Sequence, residues 1–203
     1  MPPRRPGCRA LLALALLLAS ASAAATLGER EAAVFEALLN HGLEPGTPIV
    51  VIAEETTGDP AAIGTHLAES AELAAELGAP PGTLDDWVRR NAQRVTIDRP
   101  LRLAATYQLL DAEQRAKLFS AEAPQLAWSQ FFEHYRGAPG LIALSRAGFD
   151  ADFEHALMYI EHHCGVECGA GRLVLLSLGA DGAWHVNGAA PLWMADDVPV
   201  PAE

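Results

Sequence analysis

His162, His163, Cys164 and Cys168 fall within seven residues of one another, and all four are side chains that bind zinc. A tetrahedral site needs their donor atoms to converge. Neighbours on a strand point to opposite faces, so His162 and His163 cannot both turn toward one ion if they lie in a strand. The cysteines alone make a simpler unit. If Gly165-Val-Glu167 is a three-residue hairpin loop, Cys164 and Cys168 face each other where Cα atoms stand ~4.5–5.5 Å apart and a disulfide closes. The C-x3-C spacing is not the C-x-x-C of thiol oxidoreductases. The pair therefore reads as a structural disulfide rather than a metal site or a redox centre, and so small a ring contributes about 2 kcal/mol in the chain-entropy model.

Acid–base chemistry needs titratable groups held at one point, and the residues to inspect for it are Glu54, Glu55, Arg146, His155 and His163. Glu54 and Glu55 are adjacent after a short apolar run, so on an extended chain they diverge, and a solvated strand end is the simpler reading. Asp150, Asp152, Glu154 and His155 cluster like the opening of a calcium loop, but the glycine and distal glutamate of that motif are missing. A solvated hairpin turn is expected there. Ser145 has no G-x-S-x-G around it, which argues against a nucleophilic serine. Arg146 lies in the apolar run Leu141–Phe149 and shares a face with Ile142 and Leu144. A guanidinium in that setting needs a carboxylate, and Asp85, Asp86, Glu54 or Glu55 are the expected partners; a structural pairing is favoured over anion binding. Cys168-Gly-Ala-Gly171 lacks the strand-then-helix context of a phosphate loop. No cofactor is expected.

These residues need strands to hold them. Leu141–Phe149, Ala156–His163, Arg172–Leu178, Ala183–Val186 and, after Asn187-Gly188, Pro191–Met194 read as successive strands. Asp181-Gly182 signals a type I′ hairpin, and connections this short join antiparallel neighbours. Alternation puts Met158, Ile160 and His162 on one face, the expected core face, and Tyr159, Glu161 and His163 on the other. Leu157 stands against that assignment. The N-terminal half is mostly helical. Glu29–His41 gathers Val34, Phe35, Leu38 and Leu39 on one face and stops at Gly42, and Pro48–Ile52 is a short buried strand. Asp59-Pro60 caps an Ala- and Glu-rich helix to Leu77 with a thin apolar stripe, expected on the surface. Thr83–Asp86 and Asp111–Gln114 resemble capping boxes. Trp128, Phe131, Phe132 and Tyr135 form a helix face bound for the sheet, and Trp184 and Trp193 read as packing residues. The fold class that follows is α+β, with N-terminal helices packed on a C-terminal antiparallel β-meander.

Composition bounds the function. Arg4 and Arg5, the run Leu11–Leu18 and the small residues Ala21-Ser-Ala23 and Ala23-Ala-Ala25 together read as a secretory signal peptide over residues 1–25. No later segment approaches the ~20 apolar residues of a membrane span, so no membrane insertion is expected after cleavage. Cleavage removes Arg4, Arg5 and Arg9 and no acid, which leaves 11 basic against 26 acidic residues and moves the formal charge from −12 to −15. Such a surface repels phosphate backbones, and nucleic-acid binding is not expected. Residues 26–195 suit one α+β domain, followed by a Pro-rich tail at 196–203. Cleavage also leaves Cys164 and Cys168 as the two cysteines of a protein in an oxidising compartment, secreted or periplasmic.

Trp128-x2-Phe131-x3-Tyr135, Gly140, Leu144-Ser-Arg-Ala-Gly-Phe-Asp150, Ala156-Leu-Met-Tyr159, Cys164-Gly-Val-Glu-Cys-Gly-Ala-Gly171, Gly182-Ala-Trp184 and Trp193 together resemble a widespread group of exported bacterial proteins that carries no assigned activity. The likeness covers about Trp128 to Met194 and is fainter through Thr83–Asn91. It implies an address and no mechanism. The closing strands are also similar to those of cone-shaped nuclear-transport-factor-2-like domains. Two function classes follow: a non-catalytic binding or interaction domain of the bacterial cell envelope, which the turn, cap and packing character of the motifs favours, and a small secreted hydrolase using carboxylates or histidine at one mouth of the sheet.

Overall fold

The computed structural model describes residues 27–58, 67–120 and 123–195. The expected signal peptide, the expected Asp59-Pro60 cap and the Pro-rich tail fall outside the described residues. Helix α1 spans Glu29–Gly42, α2 Leu67–Glu76, α3 Thr83–Arg90, α4 Ala112–Leu118 and α5 Pro124–His134. The strands are β1 Ile49–Ala53, β2 Thr106–Leu110, β3 Leu141–Leu144, β4 Gly148–Phe149, β5 His155–His163, β6 Gly169–Leu178 and β7 Trp184–Met194. They form one mixed sheet in the order β2-β1-β3-β5-β6-β7, with β4 beside β5. The class is α+β, helices first and most strands last.

The meander is antiparallel from β3 to β7, but β1 lies parallel to both β2 and β3. Parallel neighbours require a long crossover, and here helices fill both of them. Strand β2 was not expected, because Thr106–Leu110 alternates only weakly and sits at the sheet's edge. Leu141–Phe149 is two strands rather than one, broken at Ser145-Arg146-Ala147. The last two expected strands are a single one: Asn187-Gly188 makes no turn, and register shifts opposite Gly171/Arg172 and Leu175/Leu176 let β7 run on through two irregularities. The β6–β7 hairpin is where Asp181-Gly182 places it, with a different turn. Gly182 donates to the Gly179 carbonyl and alone takes a left-handed φ, 78°, which is a type I turn closed by a glycine rather than type I′.

Both faces of the sheet are covered. On one, α1 packs Val34, Phe35 and Leu38 against Ile52, Leu144, Met158, Val174 and Leu176. On the other, α5 sets Phe131 and Tyr135 against Val51, Leu110 and Leu141, while α2 and α3 bring Ala74 and Trp87 onto Leu157, Leu173 and Leu175. This resolves the conflicting position of Leu157: each face of β5 is a core face. It also corrects the expectation for α2, whose thin stripe of Leu73, Ala74 and Leu77 lies on the sheet. On α5, Phe132 turns outward at 36% exposure and Phe131 is fully buried. The Asp111 cap forms, its carboxylate accepting from the Gln114 N–H at 2.7 Å. The Thr83 box does not. Thr83 is the first helical residue, its hydroxyl donates to the Pro80 carbonyl at 2.8 Å, and Gly82 stands at the cap.

Gly148 is required by closeness rather than by its φ. A Cβ there would fall on the backbone N and Cα of Trp87, where α3 crosses β4. Because neither backbone has a flexible end that could yield, Gly148→Ala is expected to destabilise by more than about 3 kcal/mol, beyond ordinary overpacking. Urea denaturation checks this, with Gly46→Ala, whose Cβ would meet nothing, as the control that is strained only through its positive φ.

Candidate functional site

Arg146 shows how the halves are joined. It sits in the break between β3 and β4, with its side chain 13% exposed, and its carboxylate partner does come from the N-terminal half. The partner is Glu31, not Asp85, Asp86, Glu54 or Glu55. Arg146 Nε and Nη2 donate to the two Glu31 oxygens at 3.2 and 3.0 Å, and the Ala147 N–H donates to Oε1 at 2.9 Å. Asp86 serves the same region differently, accepting from the Phe149 N–H at 2.8 Å and from Arg90 Nε at 2.7 Å. Arg90 Nη1 reaches Glu31 at 3.7 Å. Around this network lies an open cleft of about 590 Å³ lined by Gly28–Glu31, Arg90, Arg146 and Phe149. Its cations are matched: Arg146 by Glu31, Arg90 by Asp86, and Arg30 stacked 4.1 Å from the Phe153 ring. Sequence reasoning missed Glu31 although a signal existed, since positions 31, 34, 35 and 38 share the apolar stripe of α1 and an acid in such a stripe needs a buried partner.

The other inspected residues lie in separate hydrogen-bonded sets. His155 Nδ1 is 2.8 Å from Asp150 Oδ2 in the β4–β5 turn, and Asp150 Oδ1 accepts from the backbone of Glu154 and His155. Burial alone would raise the Asp150 carboxyl, yet these bonds hold it below its ordinary range. His163 Nε2 is 3.0 Å from Glu161 Oε2 and its ring stacks 5.5 Å from Trp193. Glu161 is likewise held low against burial by His163 and Tyr159, while burial and the Glu161 charge push the Tyr159 hydroxyl up. Glu54 and Glu55 continue the chain past the end of β1 through backbone pairing, Glu54 to Leu110 and Ile97, Glu55 to Thr96. Cys164 and Cys168 stand at disulfide distance with Cα atoms 5.0 Å apart. Among the described residues no group of three His, Cys, Asp or Glu side chains is placed to hold a metal ion, and no helix is long and apolar enough to cross a membrane.

His162 points to the opposite face from His163, as alternation requires. Its Nε2 lies 3.2 Å from the Pro139 carbonyl, and it lines a pocket of about 430 Å³ at one end of the α1 face. The pocket has a geometric cause. Helix α1, 14 residues long, covers about 21 Å at 1.5 Å per residue, whereas β5, with nine residues, runs about 30 Å. The sheet outruns its helix. Beyond Gly42 the walls are Leu38 and Leu39 above and Ile142, Ile160, Val174 and Val186 below, with Ala170 and Ala189 keeping the space open. Its chargeable residues are His41, Glu44, His162 and Arg172. Arg172 pairs in register with Ile160, is exposed, and has no acidic partner among the described residues. Sequence reasoning passed over it as the first residue of an apolar run. A concave, apolar space with a few polar groups is the ordinary form of a small-molecule site, and Glu44 is the one carboxylate among the residues lining this one.

Protein-family models, curated proteins and solved structures were compared with this chain, and no match was found in any of the three.

Two predictions follow from these contacts. Glu31→Ala strands the Arg146 guanidinium and is expected to cost about 3–5 kcal/mol, with Glu31→Leu/Arg146→Met recovering part of the loss because no unpaired charge remains; urea midpoints of the three proteins decide it. Burial and the nearby charges of His163 and Arg172 lower the His162 pKa from its ordinary 6.5, against the opposing bond to Pro139. A folded pKa below the unfolded one means that the unfolded chain binds the proton first. The contribution of His162 to stability is therefore complete above pH 6.5 and is lost as the pH falls toward the folded pKa. An NMR titration of His162 should show a midpoint below 6.5.

Proposed function

We propose that this chain is an exported, non-catalytic binding domain of the bacterial cell envelope that takes a small apolar molecule into the pocket at the end of α1. The observation that carries the reading is that pocket: about 430 Å³, walled by Leu38, Leu39, Ile142, Ile160, Val174 and Val186, in the size range of small-ligand sites. Export rests on the N-terminal run with Arg4 and Arg5 and fits a cysteine pair at disulfide distance. The resemblance of about Trp128 to Met194 to a group of exported bacterial proteins supports the same reading. The hydrolase reading has less support, since Glu54, Glu55, Arg146, His155 and His163 are engaged in separate local networks.

Native mass spectrometry of the protein purified from the envelope of its own host tests this reading. A bound species removed by organic extraction is expected, and it should be absent from Ala189→Trp, which fills the pocket at its rim without touching the buried core. A protein that arrives empty and takes up no apolar dye, or that turns over ester or glycoside substrates, would count against it. The same spectra, recorded without reductant, should show two hydrogens missing from the Cys164–Cys168 pair.

A further inference from the structure

We infer that the pocket's ligand is a free, single-chain anionic amphiphile, its head group on the Arg172 guanidinium and its apolar chain running beneath Leu38 and Leu39. The inference rests on the binding reading proposed above and adds the chemistry of the ligand. Charge carries it. The chain has 26 acidic residues against 14 lysines and arginines, yet the chargeable residues at this pocket are His41, His162 and Arg172 with the single acid Glu44. An apolar site in an acidic protein that keeps one cation is complementary to an anion. Arg172 is that cation. It lies directly opposite Ile160, its face continues into Val174, and no carboxylate among the described residues neutralises it. Every other described arginine within the core-facing networks has a partner: Arg90 has Asp86, and Arg146 has Glu31. A fork of N–H donors left open on an apolar surface matches a carboxylate-like head.

The orientation follows from the roof. Helix α1 ends at Gly42, so the negative end of its dipole and its unpaired carbonyls face this end of the pocket and disfavour an anion beside them. The head therefore belongs on the sheet, at Arg172, and the tail under the helix. His162 contributes no fixed charge there, because burial favours its neutral form. Size sets the tail. A ~150 Å³ cavity holds one benzene, so a pocket of about 430 Å³ holds an unbranched chain on the order of ten carbons.

The test is calorimetric titration of the purified exported protein with decanoate, decan-1-ol and decyltrimethylammonium, each below its micelle concentration. Decanoate is expected to bind about tenfold more tightly than the alcohol, and the cation more weakly than either. Arg172→Gln should abolish the advantage of decanoate and leave decan-1-ol unchanged. Arg172→Lys should restore most of it, and Ala189→Trp should remove all binding with an unchanged melting temperature. Equal affinity for the three probes, or a decanoate preference that survives Arg172→Gln, overturns the anionic class while leaving the apolar pocket standing. If no probe binds, or if binding survives Ala189→Trp, the pocket reading falls as well. Sedimentation with phosphatidylglycerol vesicles without uptake of monomeric decanoate would overturn it in favour of a membrane surface.

Discussion

The buried carboxylate of Glu31 is the constraint on which the arrangement depends. At 2% exposure it cannot remain charged without donors, and it has three: two from Arg146 and the backbone N–H of Ala147. The two residues are 115 positions apart in the chain, so the ion pair exists only when α1 lies across the sheet at one height and one rotation. A buried pair of this kind adds little net stability over an apolar pair, but breaking it is costly. Its effect is selection among packings, because any slide of α1 along its apolar stripe strands two charges.

The same break in the sheet is held from the opposite face. Ser145, Arg146 and Ala147 interrupt β3 and β4, and their polar groups are met one by one. Trp87 Nε1 donates to the Ser145 hydroxyl at 3.0 Å, which in turn accepts from the Tyr159 N–H at 2.8 Å and donates to the Arg146 carbonyl at 2.9 Å. The Asn91 side chain accepts from the Arg146 N–H and donates to its carbonyl. Buried backbone left without partners would cost several kcal/mol, and here α1 and α3 supply them from the two sides. Ser145, whose type invites a catalytic reading, is consumed by this task. So is Arg146.

A helix fixed in height cannot also be fixed in reach. Because the Glu31 contact sets where α1 begins and Gly42 where it ends, the far ends of β5, β6 and β7 pass beyond its cover. Small residues at Ala170 and Ala189 leave that space unfilled. The pocket is thus a consequence of the same placement that closes the core, and its floor is the continuation of the core face, turning from Met158 through Ile160 to His162 as burial falls.

The sequence by itself determined what is local or periodic. It was enough for α1 and its stripe, for β1, for the Asp111 cap, for the opposed faces of His162 and His163, for the approach of Cys164 to Cys168, and for the α+β class with its antiparallel meander. It also showed that Arg146 needed a carboxylate from the N-terminal half. Tertiary structure decided what depends on positions distant in the chain. That Glu31 and not Asp86 meets Arg146, that β1 lies parallel between β2 and β3, that Leu157 has a core of its own beneath Trp87, and that Arg172 borders a pocket with no acidic partner among the described residues are all outcomes of which surfaces are brought together. Strand alternation says which side a residue faces, and says nothing about what lies there. Partner identity comes from packing long stretches of chain against one another, and a local pattern does not contain it.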